Sequence, residues 1–143
     1  APIIEGGVVK QYFVSTYMAG KTGFAPTIED VSRPCLMPFV KGCELAESKK
    51  DVSLKDILAL CGNGIYVTGF NGGNCNPVTG DFSFGIEGFA FSKGKITHPV
   101  KEMLITGNMM TLWNSLIAAG SDARTSSRWQ IPTLAFENVS FSA

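Results

Sequence analysis

The sequence predicts an α+β fold in which strands dominate: a mostly antiparallel sheet with two short helices. Several apolar runs are separated by only two turn-forming residues, as at Gly6-Gly7 and Lys93-Gly94, and this spacing is typical of β-hairpins. Only two segments combine a helix-capping residue with apolar side chains at helical spacing. The chain has 143 residues, and we expect residues 1–143 to form a single domain with its own core.

The composition limits the classes of function. Lysine and arginine total 12, as do aspartate and glutamate, so the formal net charge is zero and we expect no direct binding of nucleic acid or of a membrane surface. Apolar residues make up 45% of the chain and charged residues only 17%, which suggests that something outside the chain covers part of its apolar surface. No apolar run reaches the ~18 residues of a membrane-spanning helix. Because the start at Ala1 shows neither an initiator methionine nor a signal peptide, we expect a segment processed or excised from a longer protein.

The N-terminal segment predicts a hairpin. Two apolar runs, residues 3–5 and 8–14, flank the glycine pair Gly6-Gly7. The tripeptide Gly20-Lys21-Thr22 resembles the end of a phosphate-binding loop. Such a loop also needs a glycine five positions before Gly20, where this sequence has Ser15, and a helix after it, which Phe24-Ala25-Pro26 does not begin, so we expect no phosphate site.

The next segment predicts a strand, a loop and a helix. Residues 35–36 favour a short strand, limited by prolines on both sides. Residues 42–51 are polar and charged, which is typical of an exposed loop. Ser53 is a suitable N-cap for a helix over residues 54–60, and a Cys-Gly-Asn-Gly sequence ends it.

A long hairpin is predicted in the middle of the chain. Residues 65–68 form a strand, and residues 69–80 contain so many glycines and asparagines that we expect a loop. The hairpin that follows, residues 82–106, carries apolar side chains on both faces, which predicts either a central strand or a second side covered by an N-terminal portion of the full-length protein or by a partner subunit. From these features we expect partner or peptide contacts at Asn71, Gly72, Gly73, Asn74, Asp81, Phe89 and Phe91.

The register of this hairpin follows from its turn. With Lys93-Gly94 as the turn, the numbers of facing residues sum to about 187, which predicts that Glu87 faces Val100 and Glu102 faces Gly85. Gly85 and Gly88 suggest a bulge or close backbone approach. Pro99 is expected to mark an edge or a bulge.

The C-terminal segment predicts the second helix and a final strand. Asn108 is a suitable N-cap, and Gly120 is a natural end for the helix. Residues 133–141 alternate between apolar and polar side chains, which predicts a half-buried strand. The apolar positions of the helix follow the spacing i, i+3, i+4 and i+7: Met109, Leu112, Trp113 and Leu116.

No catalytic or metal-binding set is predicted within the chain. His98 is the only histidine, and the predicted register does not bring Glu87 and Glu102 together. Ser83 is not a nucleophile elbow, because its preceding glycine is one position too far away and no helix follows. Four cysteines lack the short spacing of a zinc site and are expected to be free thiols: Cys35, Cys43, Cys61 and Cys75.

Several ordered motifs resemble those of the TldD/PmbA family, whose members include peptidases also called modulators of DNA gyrase. The resemblance runs from the opening Pro-Ile-Ile-Glu to the final strand and so covers essentially the whole chain. The motifs that carry it are Gly64-Ile65-Tyr66-Val67-Thr68, Asn76-Pro77-Val78-Thr79-Gly80-Asp81-Phe82-Ser83, Gly85-Ile86-Glu87-Gly88-Phe89, Pro99-Val100-Lys101-Glu102 and Ile105-Thr106-Gly107-Asn108.

The resemblance implies the C-terminal β-rich domain of a longer bacterial or archaeal cytoplasmic protein. Such proteins form two-subunit metallopeptidase assemblies that cleave short or unfolded peptides. The TldD-type subunit bears a His-Glu-x-x-x-His helix and a cysteine near its C-terminus, whereas the PmbA-type partner lacks them. No cysteine follows Cys75 here, so the PmbA side fits better.

This resemblance sets the expected partners. We expect a non-catalytic domain with no cofactor of its own, and zinc only in a TldD-type partner. Expected partners are such a metal-bearing subunit or a second copy of this chain, together with a peptide substrate. The alternative is a non-enzymatic adaptor with a gyrase-modulator role.

Overall fold

The computed structural model of the chain describes residues 2–29, 32–42 and 51–143. They belong to two compact units, Ala1–Pro34 and Cys35–Ala143. The described residues form nine strands and three short helices, so the predicted strand-rich α+β class is confirmed. No helix among the residues described is long and apolar enough to cross a membrane.

The smaller unit begins with the predicted hairpin. Its strands, β1 (Ile4–Glu5) and β2 (Val8–Val9), are joined by Gly6-Gly7, whose φ angles of 57° and 78° glycine adopts without strain. The second strand is shorter than predicted, and a helix absent from the prediction follows it, α1 (Thr16–Thr22). That helix has seven residues, includes a glycine and buries no side chain, so neither propensity nor apolar spacing indicates it.

The larger unit contains two antiparallel sheets. One has the strand order β4-β5-β6-β9 and the other the order β3-β7-β8. The strands are β3 (Phe39–Val40), β4 (Gly64–Cys75), β5 (Asp81–Ser92), β6 (Lys95–Asn108), β7 (Leu116–Ala119), β8 (Leu134–Phe136) and β9 (Ser140–Ser142).

Helix α2 (Leu54–Cys61) confirms the first predicted helix. Ser53 Oγ accepts a hydrogen bond from the backbone N–H of Asp56 at 3.2 Å, and Asp56 Oδ2 accepts one from the N–H of Ser53 at 3.0 Å. This reciprocal capping box satisfies two backbone donors that a helix start leaves free. The helix packs on the three-stranded sheet, and together they form a buried cluster of Val52, Ile57, Ala118 and Ala135.

The second predicted helix, α3 (Met109–Asn114), is present but short. As predicted, Asn108 caps it, and its Oδ1 accepts a hydrogen bond from the N–H of Met110 at 3.0 Å. The chain then becomes strand β7 instead of continuing as a helix to Gly120. Strand β7 is the central strand of its sheet, and Ala118 and Ala119 are fully buried there. Burial between two partner strands therefore overrides the helical spacing in the sequence.

Two other strand predictions need correction. Residues 133–141 form β8 and β9, which lie in different sheets, and Asn138 between them has a φ of 57°. Alternation continues on both sides of this break, so the pattern cannot show it. Cys35 forms only a single bridge with Gln130, and the regular strand begins later, at Phe39. The predicted loop at 42–51 falls mostly on residues 43–50, outside the described residues.

The glycine-rich segment after Thr68 is a strand, not a loop. Residues 69–75 are the second half of β4 and pair with β5, so the connecting turn is confined to residues 76–80. Two extra residues in β4, Thr68 and Gly72, interrupt the ladder as bulges. Gly72 has a φ of 71°, which explains a glycine at that point.

The hairpin of β5 and β6 turns at Lys93-Gly94, as predicted. Next to the turn, the numbers of facing residues sum to 187 as predicted, and Ser92 faces Lys95. Farther from the turn, bulges in β6 shift the register. Gly88 therefore faces Val100 and Gly85 faces Leu104, so the predicted partners of Glu87 and Glu102 are wrong.

The proline and the glycines of this hairpin behave as predicted. Pro99 faces Phe89 on a part of β6 that β9 does not reach, which is an edge position. Gly88 permits the close backbone approach expected of it, because a Cβ there would overlap the carbonyl oxygen of Tyr66.

Candidate functional site

The residues predicted to contact a partner do not form one surface. Asn71, Gly73 and Asn74 pair with β5, and Gly72 forms the bulge among them. The other edge of β4 pairs with nothing in the described part of the chain. This stretch therefore offers a partner the edge of a strand, which can bind an extended peptide through backbone hydrogen bonds.

Asp81 joins the turn before β5 to the start of α3. Its Oδ1 accepts a hydrogen bond from Asn108 Nδ2 at 2.9 Å, and the same amide donates to the carbonyl oxygen of Thr79 at 2.8 Å. The hydrogen bonds from Asn108 and Thr79 lower the pKa of Asp81. The carboxylate stabilises this turn, and its contact with a partner remains a prediction.

Phe89 and Phe91 lie in different environments. Phe89 is 37% exposed, whereas Phe91 is only 8% exposed. The ring of Phe91 lies against Gly64, where a Cβ would come within 2.9 Å of it. Its own unit therefore buries Phe91, which corrects its expected place on a partner surface.

One concave feature of the larger unit is an apolar groove of about 1100 Å³. Both sheets, α2 and α3 contribute side chains to its lining. We call it the intersheet groove. Residues on its walls include Ile57 and Leu58 from α2, Phe70, Phe82 and Phe84 from the long ribbon formed by β4, β5 and β6, and Phe136 from β8.

Three phenylalanines form a continuous aromatic wall of this groove. Phe82 stacks on Phe84 with ring centroids 5.9 Å apart, and Phe70 meets Phe84 edge to face at 5.8 Å. Phe82 is buried, but Phe70 at the open end is 64% exposed. Trp129 on the loop that borders the groove is 61% exposed.

Sequence reasoning missed Phe70 and Trp129. A detectable signal existed: each is a single large aromatic residue within a polar or glycine-rich stretch. Such residues cannot be part of a local apolar stripe, so an exposed or partner-covered position is the better prediction for them.

A hydrogen-bonded aspartate stands at the border of the groove. Asp122 accepts hydrogen bonds from the backbone N–H of Thr133 at 2.8 Å and from its hydroxyl at 2.6 Å. Partial burial acts to raise the pKa of Asp122, but the hydrogen bonds outweigh it, so the pKa is lowered. The carboxylate is engaged in holding the loop and is not poised as a base.

The groove carries no set of metal ligands. Burial raises the pKa of Cys61, a cysteine among the described lining residues, so the thiol stays protonated at neutral pH. The described residues nowhere bring together three side chains of histidine, cysteine, aspartate or glutamate. His98 is exposed on β6, with the hydroxyl of Thr97 3.1 Å from Nδ1. These residues do not fit the zinc site that the family resemblance assigns to the TldD-type subunit.

Comparison with known proteins decides the family. The whole sequence, residues 1–143, matches the family described as "PmbA/TldA metallopeptidase C-terminal domain". The chain belongs to this family. The resemblance expected from the motifs is thereby confirmed.

Among curated relatives, the metalloprotease PmbA of Escherichia coli is 30% identical over 128 residues, which are 90% of this chain and 26% of that protein. The PmbA homolog of Haemophilus influenzae is 28% identical over 142 residues, 98% of this chain and 29% of the relative. The chain thus spans somewhat more than a quarter of the length of these relatives.

Two solved structures share the fold. One, from Bacteroides thetaiotaomicron, is named as a modulator of DNA gyrase and is 49% identical, with a TM-score of 0.77 over 98% of this chain and 30% of that one. The other, a Thermotoga maritima protein with a similar name, is 24% identical, with a TM-score of 0.76 over 98% of this chain and 32% of that one. At that identity the second structure supports the fold alone.

Proposed function

We propose that this chain is the C-terminal domain of a PmbA-like subunit in a cytoplasmic metallopeptidase assembly that cleaves short or unfolded peptides. The domain serves subunit assembly and peptide binding, and catalysis takes place in a TldD-type partner. The observation that carries this proposal is the combination, in a PmbA-family domain, of a large apolar groove and an unpaired strand edge with no cluster of metal ligands among the described residues.

The unpaired edge of β4 supports a role in binding peptide. An extended peptide adds to such an edge through main-chain hydrogen bonds and needs no particular side chain. That mode of binding suits an assembly whose substrates vary in sequence. It also suits an uncharged strand, and β4 contains no charged residue.

The TldD-type partner would supply the zinc chemistry. A catalytic zinc site needs three protein ligands and an open position, whereas His98 stands alone on an exposed strand. We therefore assign no chemical step to this domain.

Reconstitution tests the proposal. The full-length subunit is mixed with a metal-bearing TldD-type partner, and cleavage of an unstructured peptide is followed. We expect cleavage to require both proteins. Cleavage by the partner alone at an unchanged rate would contradict the proposed role of this subunit.

The alternative is an adaptor without a role in peptide cleavage. Its specific support is that the solved Bacteroides thetaiotaomicron relative, 49% identical to this chain, is named as a modulator of DNA gyrase. The discriminating measurement is DNA supercoiling by gyrase with and without the full-length subunit. A change in supercoiling together with no effect on peptide cleavage would favour the adaptor.

A further inference from the structure

The polar loop over residues 121–132 borders the intersheet groove and is tied down at both of its ends. At its start, the backbone N–H of Ser121 donates a hydrogen bond to the carbonyl oxygen of Val52 at 2.8 Å, and Ser121 Oγ accepts one from the N–H of Val52 at 2.9 Å. At its end, Thr133 donates two hydrogen bonds to Asp122. The loop therefore holds its side chains in a fixed frame at the groove, which reduces the entropy lost when a ligand binds.

Arg124 on this loop is a cation that lines the groove. Its guanidinium is exposed and makes no hydrogen bond or ion pair with another residue that the structure describes. The two acidic residues in the described lining are already engaged. Asp122 is hydrogen-bonded to Thr133, and Glu137 forms an ion pair with Lys41 at 3.6 Å. Arg124 is therefore available to bind an anion that enters the groove.

The rest of the groove suits apolar side chains. Trp129 on the same loop is 61% exposed, and Phe70 on β4 is 64% exposed. Both rings belong to the lining, in which most other side chains are aliphatic or aromatic. Small-ligand sites have volumes of roughly 300–1,000 Å³, so a groove of this size accommodates a few side chains and not a whole protein surface. Its apolar walls and its available cation favour an apolar molecule that carries a negative charge.

Strand β4 favours a peptide over other apolar acids. Its residues Ile65, Tyr66, Val67 and Phe70 line the groove. The outer edge of the same strand pairs with nothing in the described part of the chain. Backbone N–H and C=O groups that need a partner therefore lie beside the groove. A peptide can pair with them, whereas a hydrocarbon chain cannot.

We propose that the intersheet groove binds the C-terminal end of a peptide whose last residues are apolar, with its carboxylate at Arg124. The planar guanidinium of arginine matches a carboxylate through two parallel hydrogen bonds. The peptide side chains occupy the apolar part of the groove, where Trp129 and Phe70 are exposed. This inference rests on the proposed function in taking peptide as the ligand of this domain, and it adds the class of peptide and the group that is recognised.

Calorimetric titration of the full-length subunit, without any partner subunit, tests the inference. The probes are acetyl-Gly-Gly-Leu-Phe with a free carboxyl end and the same peptide with an amidated end. Arg124→Gln removes the cation, and Trp129→Ala removes an exposed aromatic ring. The matched control is Lys95→Gln, because Lys95 is an exposed cation outside the described lining of the groove.

We expect the unchanged subunit to bind the acid about three- to tenfold more tightly than the amide, as for one charge-assisted contact at an exposed position. Arg124→Gln should weaken binding of the acid to the level of the amide and leave the amide unaffected, whereas Lys95→Gln should keep the difference. Trp129→Ala should weaken binding of both peptides by a similar factor. Added salt should narrow the difference between acid and amide, because salt screens an exposed ion pair.

Four results would overturn the inference. They are equal affinity for the acid and the amide in the unchanged subunit, a preference for the acid that survives Arg124→Gln, no binding of either peptide, and displacement of the peptide acid by an equal concentration of decanoate. The last result would assign the groove to a free apolar acid. The comparison of acid with amide needs no variant, so it decides the matter even if Arg124→Gln fails to fold.

The binding result and the proposed function can fail separately. A preference for the acid that depends on Arg124, together with no peptide cleavage in the reconstituted assembly, would leave the inference intact and refute the metallopeptidase role. Cleavage that requires both subunits, together with equal binding of acid and amide, would refute only the inference.

Discussion

The substitution Gly88→Ala tests the close packing of β5 against β4. Gly88 lies in β5 beside the bulge at Thr68, and a Cβ at this position would overlap the carbonyl oxygen of Tyr66 and lie 3.0 Å from the Cα of Val67. Both obstacles are backbone atoms of a paired strand and cannot rotate away. The strands must therefore separate locally to admit the methyl group.

The expected cost is large for a single methyl group. Overpacking in a well-packed region lowers the free energy of unfolding by about 1–3 kcal/mol. Because the obstacle at Gly88 is backbone, we expect Gly88→Ala to lower it by about 3 kcal/mol. For a domain of this size, 1 kcal/mol corresponds to roughly 3–4 °C in melting temperature, so the melting temperature should fall by about 10 °C.

The matched control is Gly72→Ala in the neighbouring strand. A Cβ at Gly72 would meet no atom within 4 Å, and the only cost comes from its φ of 71°. A residue other than glycine in that conformation costs about 1–2 kcal/mol. Urea unfolding of both variants provides the comparison. Equal midpoints for the two variants, or an unchanged midpoint for Gly88→Ala, would refute the argument that the backbone of β4 leaves no room for a side chain at Gly88.

Four further predictions concern single side chains. Phe91→Ala should destabilise the chain by about 3–5 kcal/mol, as expected for a buried ring, whereas Phe89→Ala should cost far less; denaturant unfolding measures both. Asn108→Ala should cost about 1 kcal/mol through the lost helix cap. Because the pKa of Asp81 is lowered in the folded state, its carboxylate stabilises the fold at neutral pH, and this contribution is lost as the pH falls below about 4. The loss of stability in acid should be smaller in Asn108→Ala. Melting temperatures measured across this pH range provide the comparison. Burial raises the pKa of the Cys61 thiol, so at pH 7 it should react more slowly with an alkylating reagent than the exposed Cys35. The alkylation rate of Cys61 should keep rising above pH 9, and mass spectrometry measures it.

Local signals in the sequence predicted the elements that depend on local chemistry. The capping residue Ser53 and the glycine pair Gly6-Gly7 act on neighbours within a few positions, so the first helix and the N-terminal hairpin could be read directly. The turn at Lys93-Gly94 and the cap at Asn108 were predicted for the same reason.

Part of the candidate site could also be predicted from the sequence. The apolar ribbon and the expectation of a covering layer came from composition and alternation alone. The ordered motifs identified the family, because they extend along the whole chain and no single helix or strand contains them all.

Only the tertiary structure decided the register, the limits of the strands and the shape of the groove. Residues 69–75 look like a loop, but pairing with β5 satisfies their backbone groups and makes them a strand. Residues 116–119 follow a helical spacing, yet strands on both sides convert them into the centre of a sheet. The bulges at Thr68 and Gly72 depend on contacts between strands. Strand pairing and burial depend on segments that are distant in the sequence. Their energies outweigh local preferences, and no short stretch of sequence shows them in advance.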